Sequence, residues 1–443
     1  MSRAHYTIVM SHFARFAACA SLLAASPVLA QPASIPEIRH SQPSSPLHGV
    51  LTGIDVLRAN GFNVLRGKRV GLVTNQTGRT RDGQSTIDVL FDARLQPGGP
   101  RLVALFGPEH GLRGTVGAGA RVSNGRDEKT GLPVFSLYGS SRRPSLAMSR
   151  GIDVWVFDMQ EIGSRSYTFI STLGEVMAAA ARSRKPLVVL DRPNPIGGNR
   201  VEGSSVAPGF ASFVSPFPIP YCHGLTMGEL AQLVNARKYL PGGVPCQLTV
   251  VPMLGYSRAM QWPQTGLSWV RTSPNIPRQD SPYFYAATGI VGELSLLSIG
   301  IGTAFPFQLA GAPGLDALRL EGELKARRLR GLEFRAARWT PRAGAYSGRE
   351  CRGVQVFITD APRAELTRLN FELMDAARKV GGARFGSSRW FAERGKARMF
   401  DLVCGSDRFR RLFLAGAGAN VLWREWNRGA QAFRAGRTRF LLY

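Results

Sequence analysis

Glu109 and His110 stand side by side in Gly107-Pro108-Glu109-His110-Gly111, directly after the apolar run Leu102–Phe106. A carboxyl group at the mouth of a buried strand, against a proline, is placed to keep a proton and give it away, because burial raises its pKa. Further acids follow other apolar runs. Asp153–Phe157 leads into Asp158 and Glu161, and Leu187–Leu190 leads into Asp191, Arg192 and Asn194. Asn75 follows Arg69–Thr74 in the same way. Several carboxylates without a metal-ligand cluster fit glycoside hydrolysis. That reaction uses one acid to protonate the leaving oxygen and a second group as base or nucleophile. Glu109 reads as the general acid, with Asp158 and Glu161 as candidates for the second group.

Trp262–Pro277 adds Trp262, Trp269, Arg271 and Asn275 in an irregular stretch. Tryptophan beside Arg and Asn suits stacking on a sugar face with hydrogen bonds to hydroxyls; the same residues also serve as packing for a long loop. His110 and His223 either orient a carboxylate or sit as satisfied structural histidines. Glu229 closes a Thr-x-x-Glu spacing from Thr226 and reads as a helix cap rather than a catalyst. Rival chemistries have less support. Thr115–Gly119 lacks a full Gly-x-Gly-x-x-Gly, and no Gly-x-Ser-x-Gly occurs. The histidines form no His-x-x-x-His pair and the cysteines no zinc spacing, so neither a metal nor a cofactor is expected.

These residues need a scaffold that brings distant loops together. Short apolar runs at 69–74, 102–106, 133–137, 153–157, 187–190 and 248–253 alternate with helical patterns at 54–65, 85–93, 173–182 and 230–240. Strand–helix alternation with short loops predicts an α/β fold, a mainly parallel sheet with helices on both faces. In such sheets the loops beyond the carboxyl ends of the strands share one rim. Asn75, Glu109, Asp158, Glu161, Asp191, Arg192 and Asn194 all fall there. From between positions 290 and 315 the pattern changes. A helix over Leu315–Leu332, a strand over Gly353–Ile358 and an amphipathic helix over Ala364–Ala377 predict a second, smaller α+β domain.

Met1–Ala30 has a basic start, a short apolar core and a small-residue cleavage site, the signature of an export signal, and Gln31–His48 reads as a flexible lead-in. No stretch is long enough for a stable membrane span. The net charge of +26 is weighted toward the last third of the chain and attracts polyanions. An exported chain makes nucleic acid the poorer partner than acidic wall polymer. Cys222, Cys246, Cys351 and Cys404 either pair in an oxidising compartment, with three possible connectivities, or remain buried thiols.

Taken in order, GLVTNQTG (71–78), FGPEHGLRG (106–114), FDMQEIGSRSYT (157–168), DRPNPIGG (191–198), HGLTMGEL (223–230), SPNIP (273–277) and the final FLLY resemble the NamZ-type exo-β-N-acetylmuramidases, a bacterial family long filed as a domain of unknown function. The resemblance implies a Rossmann-like catalytic domain over 49–300 and a smaller C-terminal α+β domain over 301–443. It implies release of N-acetylmuramic acid from non-reducing ends of peptidoglycan or muropeptide glycans, in the periplasm or outside the cell. A non-catalytic wall-binding protein on the same scaffold is the alternative. On the matching motifs Glu109 would be the leading catalytic carboxylate and the Asp158–Glu161 loop its partner, although the family usually has Asp at 161. Asn75, His110, Tyr167, Asn194, His223, Trp269 and Asn275 would contact the glycan. Arg165, Arg192 or Arg271 would bind the lactyl carboxylate. One segment departs from the family. Ile299, Ile301, Phe305 and Gln308 stand where charged residues are usual.

Overall fold

Along the chain, α1 (Gly53–Ala59), β1 (Arg69–Thr74), α2 (Thr86–Asp92) and β2 (Arg101–Gly107) come first, then β3 (Gly125–Arg126), β4 (Pro133–Ser136), β5 (Val154–Asp158) and α3 (Phe169–Ser183). They are followed by β6 (Leu187–Leu190), α4 (Met227–Ala236), β7 (Leu248–Val251) and α5 (Ser281–Glu293). The second domain adds β8 (Leu309–Ala312), α6 (Ala317–Ala326), β9 (Leu332–Trp339), β10 (Cys351–Ile358) and α7 (Arg368–Gly381), and then short helices at Ala397–Cys404, Arg408–Leu414, Ala419–Trp426 and Ala430–Gly436. This computed structural model describes residues 49–109, 111–112, 124–138, 142–387, 391 and 397–443.

Seven strands form one sheet in the order β3-β4-β2-β1-β5-β6-β7. Every neighbouring pair is parallel except β3 with β4. The chain builds outward from β1 to β2 and β4, then returns to the other side of β1 for β5, β6 and β7. The loops after β1 and β5 therefore diverge, and a crevice opens between them at the switch point. Register sets its depth. Val73 lies beside Phe106 and Thr74 beside Asp158, so the ends of β1, β2 and β5 reach the rim together.

Burial on both faces explains why the strands read as unbroken apolar runs. Side chains alternate across the sheet. Val154 and Val156 join Ile54, Leu57, Leu72, Leu90 and Leu105 under α1 and α2. Trp155 and Phe157 join Phe106, Ile170, Leu173 and Val189 on the α3 side. That second core continues without a break through Tyr221, Phe284 and Ile290 into Val354, Phe371 and Trp426 of the smaller domain. There a three-stranded antiparallel sheet, β8-β10-β9, is covered by α6, and α7 packs against α6 and α5.

The helix expected over Leu315–Leu332 stops at Ala326, and Leu332 opens β9 instead. Arg328 and Gly331 both take positive φ and turn the chain between them. Leu332 and Phe334 point inward while Glu333 and Arg335 face solvent, so charge hid a strand of period two. The four cysteines between 222 and 404 are buried free thiols. Among the described residues, no helix is long and apolar enough to cross a membrane.

Candidate active site

Glu161 lies three residues beyond the paired end of β5 and is 2% exposed. Its Oε2 accepts the backbone N–H of Gly163, and its Oε1 has no hydrogen-bond partner among the described residues. Burial pushes the carboxyl up to about 8, so it holds its proton at neutral pH. Gly163 makes this hold possible. Its φ is +82°, and a Cβ there would come within 2.5 Å of Asn194 Oδ1. Beside Glu161, His223 is fully buried, with Nε2 3.9 Å from Glu161 Oε2. Its Nδ1 accepts the N–H of Leu225, which leaves the proton on Nε2. Burial, reinforced by the charges of Arg437 and Arg165, holds the ring down to about 3, so it stays neutral.

Glu109, just past the end of β2, is held differently. The Thr168 hydroxyl donates to Oε2 at 2.6 Å, and the Tyr138 hydroxyl also bonds to the carboxylate. Burial, followed by the Glu109 charge, pushes the Tyr138 phenol up to about 12, so it remains a donor. Between the two acids stands Tyr167, whose phenol is raised by burial and then by the fields of both Glu109 and Glu161. Its hydroxyl donates to Thr272 at 2.7 Å. The turn after β2 and the turn after β5 thus face one hollow. One carboxyl there carries a proton and has a free oxygen, and the other accepts two hydroxyl donors. That asymmetry is what acid–base chemistry on one bond requires.

Several expected site residues are occupied elsewhere. Asp158 is fully buried, accepts Arg192 at 2.5 and 2.9 Å and Thr86 at 2.5 Å, and so has no oxygen left for catalysis. Arg192 is spent largely on that pair and on the Arg79 carbonyl. Arg165 is fully buried, and its donors go to Ser215 and to the carbonyls of Ser204, Ile219 and Val403. Asn194 ties Leu225 to Ile196 as a turn-former. In this geometry Asp158, Arg165 and Asn194 are bonded to groups of the protein itself rather than presented to a ligand. A buried ion pair or a carbonyl-satisfied guanidinium leaves nothing for a ligand. Glu229 is the expected cap, exchanging bonds with Thr226 across the first turn of α4.

Other expected residues do face the hollow or its entrance. Asn75 sits at the end of β1, with Oδ1 on Thr77 and with Nδ2 unpartnered among the described residues. Gln76 donates to the carbonyls of Arg271 and Thr272 and so ties the 262–277 loop to the rim. On that loop Arg271 is exposed and Asn275 partly exposed. Trp269 packs edge-on against Trp262 and donates to the Ile276 carbonyl, so half of its role is loop packing. His110 lies outside the described residues. Thr168 and Tyr138 were missed as holders of Glu109. Both follow buried runs or motifs already singled out, and hydroxyls near a rim acid were the available signal.

The departing segment lines a neighbouring cavity of about 500 Å³, walled by Tyr285, Glu293, Ile299, Ile301 and Tyr346. Tyr285 feels the Glu109 charge from one side and that of Glu293 from the other, so the cavity adjoins the hollow. Ile299 packs against Gly292, Phe305 is 43% exposed, and Gln308 is buried with its Nδ-equivalent amide nitrogen, Nε2, unpartnered.

Comparison with known proteins gives the family. The family model described as exo-β-N-acetylmuramidase NamZ, N-terminal, matches residues 70–280, and its C-terminal counterpart matches residues 283–443. The peptidoglycan β-N-acetylmuramidase NamZ of Bacillus subtilis (strain 168) is 38% identical over 396 residues, which is 89% of this chain and 91% of that protein. A DUF1343 family protein from Bacteroides fragilis superposes with a TM-score of 0.83 at 42% identity, covering 90% of this chain and 100% of that one. A second from the same organism gives 0.71 at 28% identity, covering 89% of this chain and 99% of that one.

Proposed function

Since the chain belongs to the NamZ exo-β-N-acetylmuramidase family and is a glycosidase, we propose that it acts on peptidoglycan and releases N-acetylmuramic acid from the non-reducing ends of its fragments. The observation that carries this reading is the paired state of the two rim carboxyls. Glu161 keeps a proton with Oε1 free, and Glu109 accepts from Thr168 and Tyr138. The first protonates the leaving oxygen, and the second either takes a proton from the water that attacks the sugar carbon or attacks that carbon itself, water then releasing the sugar. This exchanges the roles that sequence position suggests, because burial rather than a neighbouring proline decides which acid stays protonated.

His223 stands as a neutral imidazole with Nε2 3.9 Å from Glu161 Oε2, so it adds no charge beside the acid. Of the three arginines considered for the lactyl carboxylate, Arg271 is the one whose guanidinium is exposed on a loop fixed to the rim. Residues 1–30 would direct export and 31–48 would lead into the folded part, placing the enzyme in the periplasm or outside the cell, where wall recycling supplies its substrate. A chromogenic β-N-acetylmuramide tests the reading. The wild type turns it over, and Glu109→Gln lowers kcat by at least ~10²-fold with the fold unchanged by circular dichroism. No turnover by the wild type, with binding to wall fragments retained, would replace the enzyme with a wall-binding protein.

A further inference from the structure

We propose that the seam between the 196–202 segment and the helices Ala419–Trp426 and Ala430–Gly436 is a second glycan site, which takes an acidic oligosaccharide and holds a polymer strand while the hollow acts on its end. The proposal rests on the glycosidase reading for the identity of that polymer, and on separate residues for the site itself.

The seam encloses about 720 Å³, and none of Glu109, Glu161, Tyr138, Tyr167 or Thr168 lines it. That volume is within the range of small-molecule sites. Its lining combines an aromatic, amides, four arginines and two acids, Glu202 and Glu365. Trp423 is partly exposed, and Asn199, Gln264, Gln431 and Arg434 are exposed. An indole face stacks on a sugar ring, amides bond to hydroxyls, and a guanidinium pairs with a carboxylate. A deep apolar ligand would find little here.

Charge decides the class of ligand. Arg258 lies in the wall, paired with Glu229 at 2.5 Å and donating to the Gly198 carbonyl at 2.7 Å. Directly behind, Arg437 is buried and donates to the carbonyls of His223 and Gly198. Burial, then the Arg258 charge, with Arg434 adding to it, brings Arg437 down to about 10. Three guanidiniums thus gather at Glu229, while the two acids of the lining, Glu202 and Glu365, are each paired with an arginine of their own, Arg200 and Arg368. Among the described residues no acid pairs with Arg434 in a salt bridge. The Nε of Arg200 and of Arg258, both lining residues, are buried without a hydrogen-bond partner among the described residues. An anion seated on Arg434 relieves this repulsion, whereas a cationic or neutral occupant does not.

The site also explains where the basic excess acts. Arg434 stands exposed on a short helix in the part of the chain that carries the basic excess, open to an acidic ligand. Binding of a strand there raises the local concentration of its end at the hollow without any contact to the reacting bond.

The test uses the full chain with Glu109→Gln, so that strands persist during titration. Probes are peptide-free glycan strands carrying lactyl carboxylates and uncharged chito-oligosaccharides of equal length. Arg434→Glu should weaken the acidic strands about tenfold and remove much of their salt dependence, with the neutral strands little changed. Gln431→Ala, also on the exposed face, should weaken both by a few-fold. In the otherwise wild-type enzyme, Arg434→Glu should leave kcat/KM on a single-sugar chromogenic muramide unchanged. Unchanged affinity for acidic strands, an equal loss on neutral ones, or an equal loss on the single-sugar substrate would each overturn the second site. Absence of single-sugar turnover by the wild type would overturn the hydrolase reading, and the strand titration would still decide this one.

Discussion

Replacing Glu161 by Gln separates charge from shape at the floor of the hollow. In the native protein burial carries this carboxyl from 4.5 to about 8. Unfolded, it ionises near 4.5; folded, it keeps its proton through neutrality. Below pH 4.5 both states are protonated and the group contributes no pH dependence. As pH rises from there to about 8, the unfolded chain sheds a proton that the native chain retains, so rising pH favours unfolding, and the loss is complete above about 8. A shift of this size sets a ceiling of about 5 kcal/mol, and relaxation around the site brings the expected effect to roughly 2–4 kcal/mol. Glutamine has the same outline and cannot ionise. Urea denaturation at pH 5 and pH 8 should therefore show the wild type losing roughly 2–4 kcal/mol more than Glu161→Gln across that interval. Asp191, raised by burial to about 6, titrates in the same direction, but it does so in both proteins and cancels. His223, held down to about 3, acts below pH 6.5, where falling pH destabilises. Activity gives a second reading. The wild-type kcat/KM should fall as pH rises through about 8, when the proton needed by the leaving oxygen is lost. Parallel stability curves for wild type and variant between pH 5 and 8 would refute the buried, protonated assignment.

Asp158→Asn leaves the Arg192 guanidinium buried without its counter-charge and should cost about 3–5 kcal/mol, read as a lower urea midpoint at an unchanged m-value. Gly163→Ala forces a side chain into a positive φ against Asn194 and Ile196; kcat should drop at least ~10-fold while the melting temperature falls by several degrees, and an unchanged kcat would detach Glu161 from the chemistry. Tyr443→Phe removes the hydroxyl that donates to Asp191 and accepts from Met253, and should cost about 1–2 kcal/mol in thermal or urea unfolding. Gln308→Met replaces a buried amide nitrogen that has no partner with an apolar group of similar size; stability should stay level or rise by about 1 kcal/mol, and a loss above ~2 kcal/mol would reveal a partner for that nitrogen.

The parallel sheet was legible because each of its central strands is buried on both faces, so apolar runs such as Val154–Phe157 stood out between breakers. The rim was legible for the same reason: the first polar residue after each run marks a strand end. The Thr226–Glu229 cap was a local signal of fixed spacing, and the α4 start has that geometry. Pairing across the rim was not legible. Asp158 and Glu161 sit three residues apart in one turn, yet Arg192 from the next strand's loop claims the first and leaves the second alone. Nothing in the order of residues says which acid that arginine will reach. Arg165 looked like a ligand-binding cation because its donors end on carbonyls 39, 54 and 238 positions away, and backbone partners leave no mark on composition. The helix α5 was overlooked because it is buried on most of its circumference, so its apolar residues show little one-sided period.

Arg165 has a wider consequence. Its guanidinium reaches the Val403 carbonyl in the smaller domain from a loop of the larger one, and Trp426 lies in the same core as Phe157. Cutting the gene between the two matched regions would strip that core open and strand a cation that has no carboxylate partner, only carbonyls and the Ser215 hydroxyl. The halves are therefore poor candidates for exchange between relatives. Chimeras joining one region to a foreign counterpart should misassemble unless the residues around position 403 travel with Arg165, which makes the pair a single unit of inheritance despite its two-part appearance.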